Sequence, residues 1–269
     1  MEKRVSIEKD GHVAIVKLNR PEKLNALDVA MFEALIEAGE ALNTDETVRS
    51  VVICGEGKAF CAGLDLSMFS LDGSSEMLAT PLQDRTHGNS NKWQKAVWVW
   101  RELQVPVIAA VQGVVFGGGL QIMLAADIKF AEANTKMSIM EMKWGIIPDM
   151  GGPQLMRLSV REDIIRELTY TNRIFSGKEA VEYGFATHVS SEPFKEALAL
   201  AKEIASKSPS AIVKAKKLFN ELPNLTIDEG LLMESKEQAE IIAKKNQLES
   251  VFAGIQKRDG NFENYRDKA

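Results

Sequence analysis

A chain of 269 residues is long enough for one or two domains with a sizeable core, and its 45% hydrophobic and 26% charged residues are ordinary for a soluble globular protein. The net charge of −5 excludes a general basic surface for nucleic acid. Two cysteines without a CxxC pair, three scattered histidines and no apolar run near the length of a membrane span predict no metal site and no bilayer crossing, and with no signal peptide in view they fit a reducing cytoplasm.

In chain order, Arg4 to Glu8 and Val13 to Leu18 read as two strands joined at Lys9-Asp10-Gly11. Asn19 to Lys23 is a loop. Asp28 is placed to cap a helix over Val29 to Leu42, with Phe32, Leu35, Ile36 and Ala41 roughly on one face. Val51 to Cys54 is a short buried strand. The run GEGKAFCAGLDL, Gly55 to Leu66, is a strand-to-helix turn rich in small residues. Leu71 to Lys92 is polar and reads as a surface loop or lid. Trp93 to Leu103 reads as a helix carrying Trp93, Trp98 and Trp100, aromatics that fill a core more often than they wall a ligand.

The central stretch is AAVQGVVFGGGLQIMLAA, Ala109 to Ala126. It predicts a strand over Val107 to Val111, a turn at Gly117-Gly118-Gly119, and a helix that opens inside the glycines. Such a helix offers unpaired N–H groups at its positive end, a place for developing negative charge. Neither nucleotide pattern fits. Ile122 stands where a dinucleotide fingerprint needs its third glycine, and Leu120 follows the third glycine where a P-loop needs lysine. Two turns of this kind, near residues 62–65 and 116–119, supply the two backbone donors of an oxyanion hole, although each is also readable as a plain connection.

Beyond it, Asp127 to Ala131 is a strand and Lys136 to Met142 a short extended segment, followed by the GIIP turn from Gly145 to Pro148. After Asp149 and two glycines comes a helix to about Leu158, then another over Glu162 to Tyr170. Ser176 to Glu179, SGKE, is a capping box opening a further helix. Phe185 to Val189 is a short strand. From Glu192 the chain is helical over 192–206, 210–221, 226–244 and 246–257, punctuated by Ser208-Pro209 and Pro223-Asn224. This divides the chain into a strand-rich core, 1–190, and a helical region, 191–269, with no repeat at solenoid periods.

Proton chemistry falls to two carboxylates. Glu141 sits among Met140, Met142 and Trp144, and Asp149 follows eight residues later. A carboxylate in apolar company has a raised pKa suited to general acid/base work. The competing readings are an exposed carboxylate beside a strand for Glu141 and a helix cap for Asp149. Gln121, three after Gly118, faces the same space and is able to orient water or substrate without taking a proton. No GxSxG elbow is present, which disfavours an ordinary serine hydrolase.

NRPEKLNAL (19–27), GKAFCAGLDL (57–66), PVIAAVQGVVFGGGLQIMLAADIKFA (106–131), EMKWGIIPDMGG (141–152) and RIFSGKEAVEYGFATHV (173–189) occur in this order. Together they resemble the crotonase, or enoyl-CoA hydratase/isomerase, superfamily over nearly the whole chain. The resemblance implies an α/β fold, the ClpP-like spiral of ββα turns, with a C-terminal helical region for oligomerisation and active-site cover, and a homotrimer or dimer of trimers. It implies a coenzyme A thioester as substrate and no permanently bound cofactor. The N–H groups of Leu64 and Gly118 take the oxyanion positions for a thioester enolate. Lys23, Leu24, Ala62 and Leu66 fall at coenzyme-holding positions, with Lys257 and Arg258 as phosphate partners from a neighbouring subunit. The 71–92 loop and the three tryptophans are expected to shape the acyl pocket.

The resemblance also divides on acids. Hydratases of the family carry one glutamate at the Glu141 position and another where this chain has Gln121. Dienoyl-CoA isomerases carry the acid at the Glu141 position and an aspartate eight later, as here, with their third acid again falling on Gln121. Dehalogenase-type members use an aspartate at the Asp149 position but place tryptophan at that of Glu141. Isomerisation of an enoyl- or dienoyl-CoA in fatty-acid metabolism, through Glu141, Asp149 and Gln121, is therefore the leading expectation. Hydration of a 2-enoyl-CoA is the alternative. A non-catalytic CoA-ester or RNA-binding relative is a third, for which Lys202, Lys207, Lys214, Lys216 and Lys217 are the only candidate basic cluster.

Overall fold

The computed structural model describes residues 3–69 and 81–265. A hairpin, β1 (Val5–Asp10) and β2 (Val13–Leu18), leads to α1 (Val29–Thr44) and β3 (Ser50–Gly55). Asp28 caps α1, its side chain accepting from the Met31 N–H at 2.9 Å. Next come α2 (Lys92–Glu102), β4 (Val107–Val111), β5 (Val114–Phe116), α3 (Gly118–Ala125), β6 (Ile128–Ala131) and β7 (Lys136–Ser138). The remainder is α4 (Gly152–Met156), α5 (Glu162–Thr171), β8 (Phe175–Ser176), α6 (Gly177–Tyr183), β9 (His188–Val189) and four longer helices. These are α7 (Pro193–Ala205), α8 (Pro209–Glu221), α9 (Ile227–Ile241) and α10 (Lys245–Gln256).

Two sheets organise these elements. The larger runs β1-β2-β3-β4-β6-β9, parallel except for the opening hairpin, and the smaller runs β5-β7-β8. The central strands read as unbroken apolar runs because both faces of the sheet are covered. Val52, Cys54, Ile108, Ala110 and Phe130 pack on one side with Ala197, Ala201 and Ala205 of α7. Val51, Ile53, Ala109 and Val111 face the main core with Phe32, Leu35 and Trp100. A valine or leucine buried this fully contributes about 1.5–3 kcal/mol relative to exposure. Helices α8, α9 and α10 pack chiefly on one another.

The spiral arises because successive passes of chain add one strand to each sheet. β4 continues into β5 and β6 into β7, while Cys61, after β3, makes a bridge to Val115. Besides the strand expected over Phe185 to Val189, which is confined to His188–Val189, and the unexpected pairing of Phe175–Ser176, two elements beside the cavity differ from the sequence reading. The chain does not pass directly from β4 into the glycines, because β5 intervenes and pairs with β7 in the second sheet. The extended segment expected over Lys136 to Met142 stops at Ser138, and Met140–Trp144 is a 3-10 turn. That turn is what brings Glu141 back over Gly117, where a Cβ would lie 3.4 Å from Glu141 Oε1. Of the expected 71–92 loop, residues 71–80 lie outside the described residues, and 81–91 are turns leading to Asn91, which caps α2.

Candidate active site

A cavity of about 400 Å3 opens where the Ala62–Leu66 loop, the start of α3 and the 140–150 segment converge. Local chemistry dictates each wall. Gly117, at φ 50 and ψ −120, precedes α3 in a conformation that a side chain rarely adopts. Gly119 lets α3 sit directly on the neighbouring loop, since a Cβ there would meet the Cys61 carbonyl oxygen at 2.6 Å. The N–H groups of Leu64 and Gly118 donate to no other group among the described residues, whereas Leu27 N–H and Asp65 N–H on either side of the Leu64 bridge are bonded to Gly63 and Leu27 carbonyls. Both free amides lie on residues lining the cavity.

The NRPEKLNAL segment holds the first of these turns in place. Asn25 is fully buried in the left-handed region, at φ 56, and donates to the Glu56 and Ala59 carbonyls at 3.0 and 2.9 Å. Its own oxygen accepts from the Arg20 N–H at 2.7 Å, and the Arg20 guanidinium meets Asp65 at 2.6 Å. Sequence reasoning did not single out Asn25 or Arg20. An asparagine just after the Pro21–Lys23 loop, a residue able to take a left-handed turn, was the available signal.

Glu141, Asp149 and Gln121 all line the cavity. Glu141 is 6% exposed, so it is not the surface carboxylate of the competing reading. Asp149 does not cap α4 either, because Gly151 holds that position. Burial raises the Glu141 carboxyl above its ordinary range, and the charge of Asp149 raises it further. Burial also raises Asp149. Glu141 Oε2 is buried without a hydrogen-bond partner among the described residues.

Gln121, 2% exposed, has a different task from the one expected. Its oxygen accepts from the N–H groups of Met150 at 2.9 Å and Gly152 at 2.8 Å, so that oxygen is not left to orient water. Its amide nitrogen donates to Glu141 Oε1 at 2.6 Å. The two backbone donors thus set which way the amide points, and the amide sets which carboxylate oxygen of Glu141 remains open.

Other expected residues divide. Lys23, Ala62 and Leu66 line the cavity, while Leu24 does not; its carbonyl accepts from Ala62 N–H at 2.9 Å. Lys257 and Arg258, at the end of α10, lie outside the cavity lining, and Arg258 pairs with Glu249 at 2.5 Å. Among the tryptophans of α2, only Trp93 lines the cavity, packed edge-on to Phe32 with centroids 4.8 Å apart. Trp100 is fully buried in the core and Trp98 lies against Gly151. The walls that periodicity did not reveal are Phe69 and Trp144, whose rings stand 5.7 Å apart, and Ile146. The lysine cluster forms no free basic stripe: Lys202, Lys207, Lys214, Lys216 and Lys217 each pair with a carboxylate. No helix among the described residues is long and apolar enough to cross a membrane.

A cavity with two unpaired backbone amides from separate turns and two carboxyls of raised pKa has the parts that acid/base chemistry on a polarised carbonyl requires. The comparisons agree with that class. The profile of the enoyl-CoA hydratase/isomerase family matches residues 8–265, and the chain belongs to this family, within the crotonase superfamily. Methylglutaconyl-CoA hydratase of Mus musculus mitochondria is 31% identical over 262 residues, covering 95% of this chain and 81% of that one. The mitochondrial Delta(3,5)-Delta(2,4)-dienoyl-CoA isomerase of the same organism is 31% identical over 258 residues, covering 92% and 78%. The crystal structure of an enoyl-CoA hydratase from Bacillus anthracis matches with a TM-score of 0.87 at 30% identity, covering 98% of this chain and 100% of that one.

Proposed function

We propose that the protein is an acyl-CoA double-bond isomerase. Members of the family act on coenzyme A thioesters. In this reading the Leu64 and Gly118 N–H groups hold the thioester oxygen, and they stabilise the negative charge that grows there as a proton leaves C2. Lys23, Ala62 and Leu66 receive the coenzyme, and Phe32, Trp93 and Trp144 wall the acyl chain. The coenzyme contact of Lys257 and Arg258 requires a neighbouring subunit.

The observation that carries the reading is the pair Glu141 and Asp149 in one cavity, both raised by burial, with the charge of one opposing ionisation of the other. Such a pair favours one ionised and one protonated member. Proton relocation needs that state. The carboxylate takes the C2 proton, the enolate conjugates with the double bond, and the carboxyl returns a proton at the far end of the conjugated system. No atom is gained or lost, and the two acids finish with their states exchanged. Gln121 positions Glu141 and carries no proton.

Hydration is the second reading, favoured by the hydratases among the relatives. It rests on Glu141 alone, because Gln121 is no acid and its oxygen is bonded. Incubation with a 3,5-dienoyl-CoA and, separately, with crotonyl-CoA distinguishes the two by ultraviolet absorbance. The isomerase forms the conjugated 2,4-dienoyl chromophore and leaves the crotonyl signal intact. Rapid loss of the crotonyl signal establishes hydration instead. If Glu141→Gln and Asp149→Asn both left isomerisation at its original rate, the two-acid reading would be abandoned.

A further inference from the structure

A second hollow, of about 510 Å3, lies where the end of α2, the start of β6 and the outer part of α8 meet. It shares no lining residue with the cavity of Glu141. Its charged lining consists of three cations, Arg101, Lys129 and Lys216, and a single carboxylate, Asp127. That carboxylate is already engaged: Oδ2 accepts from the Val107 N–H and from the Lys216 ammonium, each at 2.8 Å. Lys216 donates as well to the Val105 carbonyl at 2.9 Å. The Lys129 ammonium and the Arg101 guanidinium have neither a hydrogen-bond acceptor nor an ion-pair partner among the described residues.

Lys129 is half-buried, and desolvation pushes its ammonium down to about 8, with Asp127 opposing the shift and Arg101 adding to it. Burial lowers Arg101 too. Asp127 is the single carboxylate offsetting three cations here, so Arg101 and Lys129 keep a desolvation cost and a mutual repulsion that an anion between them relieves. The remaining wall is chiefly apolar, including Leu155, Ile204 and Phe219. A cavity of this volume falls within the usual range for small-molecule sites.

We propose that this hollow binds a carboxylate carried on a short apolar chain, with Arg101 and Lys129 gripping the carboxylate and Leu155, Ile204 and Phe219 packing the chain. Arginine presents a planar fork of donors that suits a carboxylate, and the apolar wall suits a hydrocarbon body rather than a bare inorganic anion. The site is independent of the isomerase reading, since it uses none of the same residues.

Octanoate is the probe, with octanol and inorganic phosphate as controls, titrated calorimetrically into the full-length protein. Octanoate binds, and both controls bind at least about tenfold more weakly. Lys129→Met weakens octanoate roughly tenfold or more, the loss expected for one charged hydrogen bond in a part-buried site, and leaves thioester turnover unchanged. Affinity for the parent protein falls between about pH 7 and about pH 9.5 as Lys129 loses its proton, and that fall is absent in Lys129→Met. Arg101→Met, which alters a different element, repeats the loss if the first variant folds poorly. Octanoate binding unchanged by both substitutions would put the ligand elsewhere, the acyl cavity included, and overturn the proposal. Phosphate binding as tightly as octanoate would overturn its apolar part. A fall in assembly mass in Lys129→Met, with octanoate affinity intact, would make the hollow a seat for an acidic side chain of a second copy and equally overturn it.

Discussion

Glu141 reaches the cavity with one carboxyl oxygen held and the other without a partner among the described residues. Gln121 donates to Oε1, and Oε2 is buried and unpaired. Glu141→Gln keeps the size of the side chain and removes its proton chemistry. It is expected to lower kcat by about 10²-fold or more while thermal unfolding stays cooperative, which enzyme assays and calorimetry measure together. Gln121→Leu acts differently. It strands the N–H groups of Met150 and Gly152 and releases Glu141, so stability falls by about 2–6 kcal/mol in urea titrations, with each orphaned buried group costing about 1–3. Because Gln121 works through Glu141, this variant also shifts the pH profile of kcat, which loss of stability by itself does not do. Glutamine at 121 was legible in the sequence as a residue that faces the glycine turn. Its three partners were not, because two of them come from residues 29 and 31 positions away.

At the scale of elements, local sequence rules held best where caps and periodicity act within a few residues. Asp28, Ser176 and Thr226 cap α1, α6 and α9 through their own side chains. Asp28 does more than cap, since the Arg4 guanidinium reaches it at 2.7 Å. Asp28→Ala therefore removes a cap and an ion pair with one change. A stability loss of about 1–2 kcal/mol is expected from chemical denaturation, with most of it surviving in high salt because the cap bond is local. Reading failed at β5 and at Met140–Trp144. Val114 to Phe116 forms a strand because β7 pairs with it. The 3-10 turn forms where the chain must double back, and no periodicity in the segment itself announces that.

Over the whole molecule, the two acids are expected to leave a mark on stability as well as on rate. Both have folded pKa values above their ordinary ones, so the folded state holds protons that the unfolded chain has released. Their contribution is fully favourable below the ordinary carboxylate range, is lost as pH rises through the raised folded values, and stays lost above them. The combined Glu141→Gln, Asp149→Asn variant removes this dependence. Its Tm at neutral pH is expected to equal or exceed that of the parent, and to change less than the parent's across the mildly acidic range, as a pH series of thermal scans measures. A loss of this kind in the resting protein is the usual relation between stability and an active site.

The sequence by itself determined the strand-rich core, the two glycine-rich turns and the two acids, because each is encoded in contiguous runs: apolar strands, glycines at a helix start, carboxylates among methionines and tryptophan; the spiral was an expectation carried by the family resemblance of its motifs. Tertiary structure decided that Glu141 and Asp149 share one cavity. It also decided that Gln121 holds a carboxylate instead of water, that Trp98 and Trp100 serve packing, and that Arg101 and Lys129 line one hollow without a hydrogen-bonded carboxylate among the described residues. Those outcomes depend on which residues from distant segments meet in a low-polarity space, and desolvation acts only after the chain has closed around them.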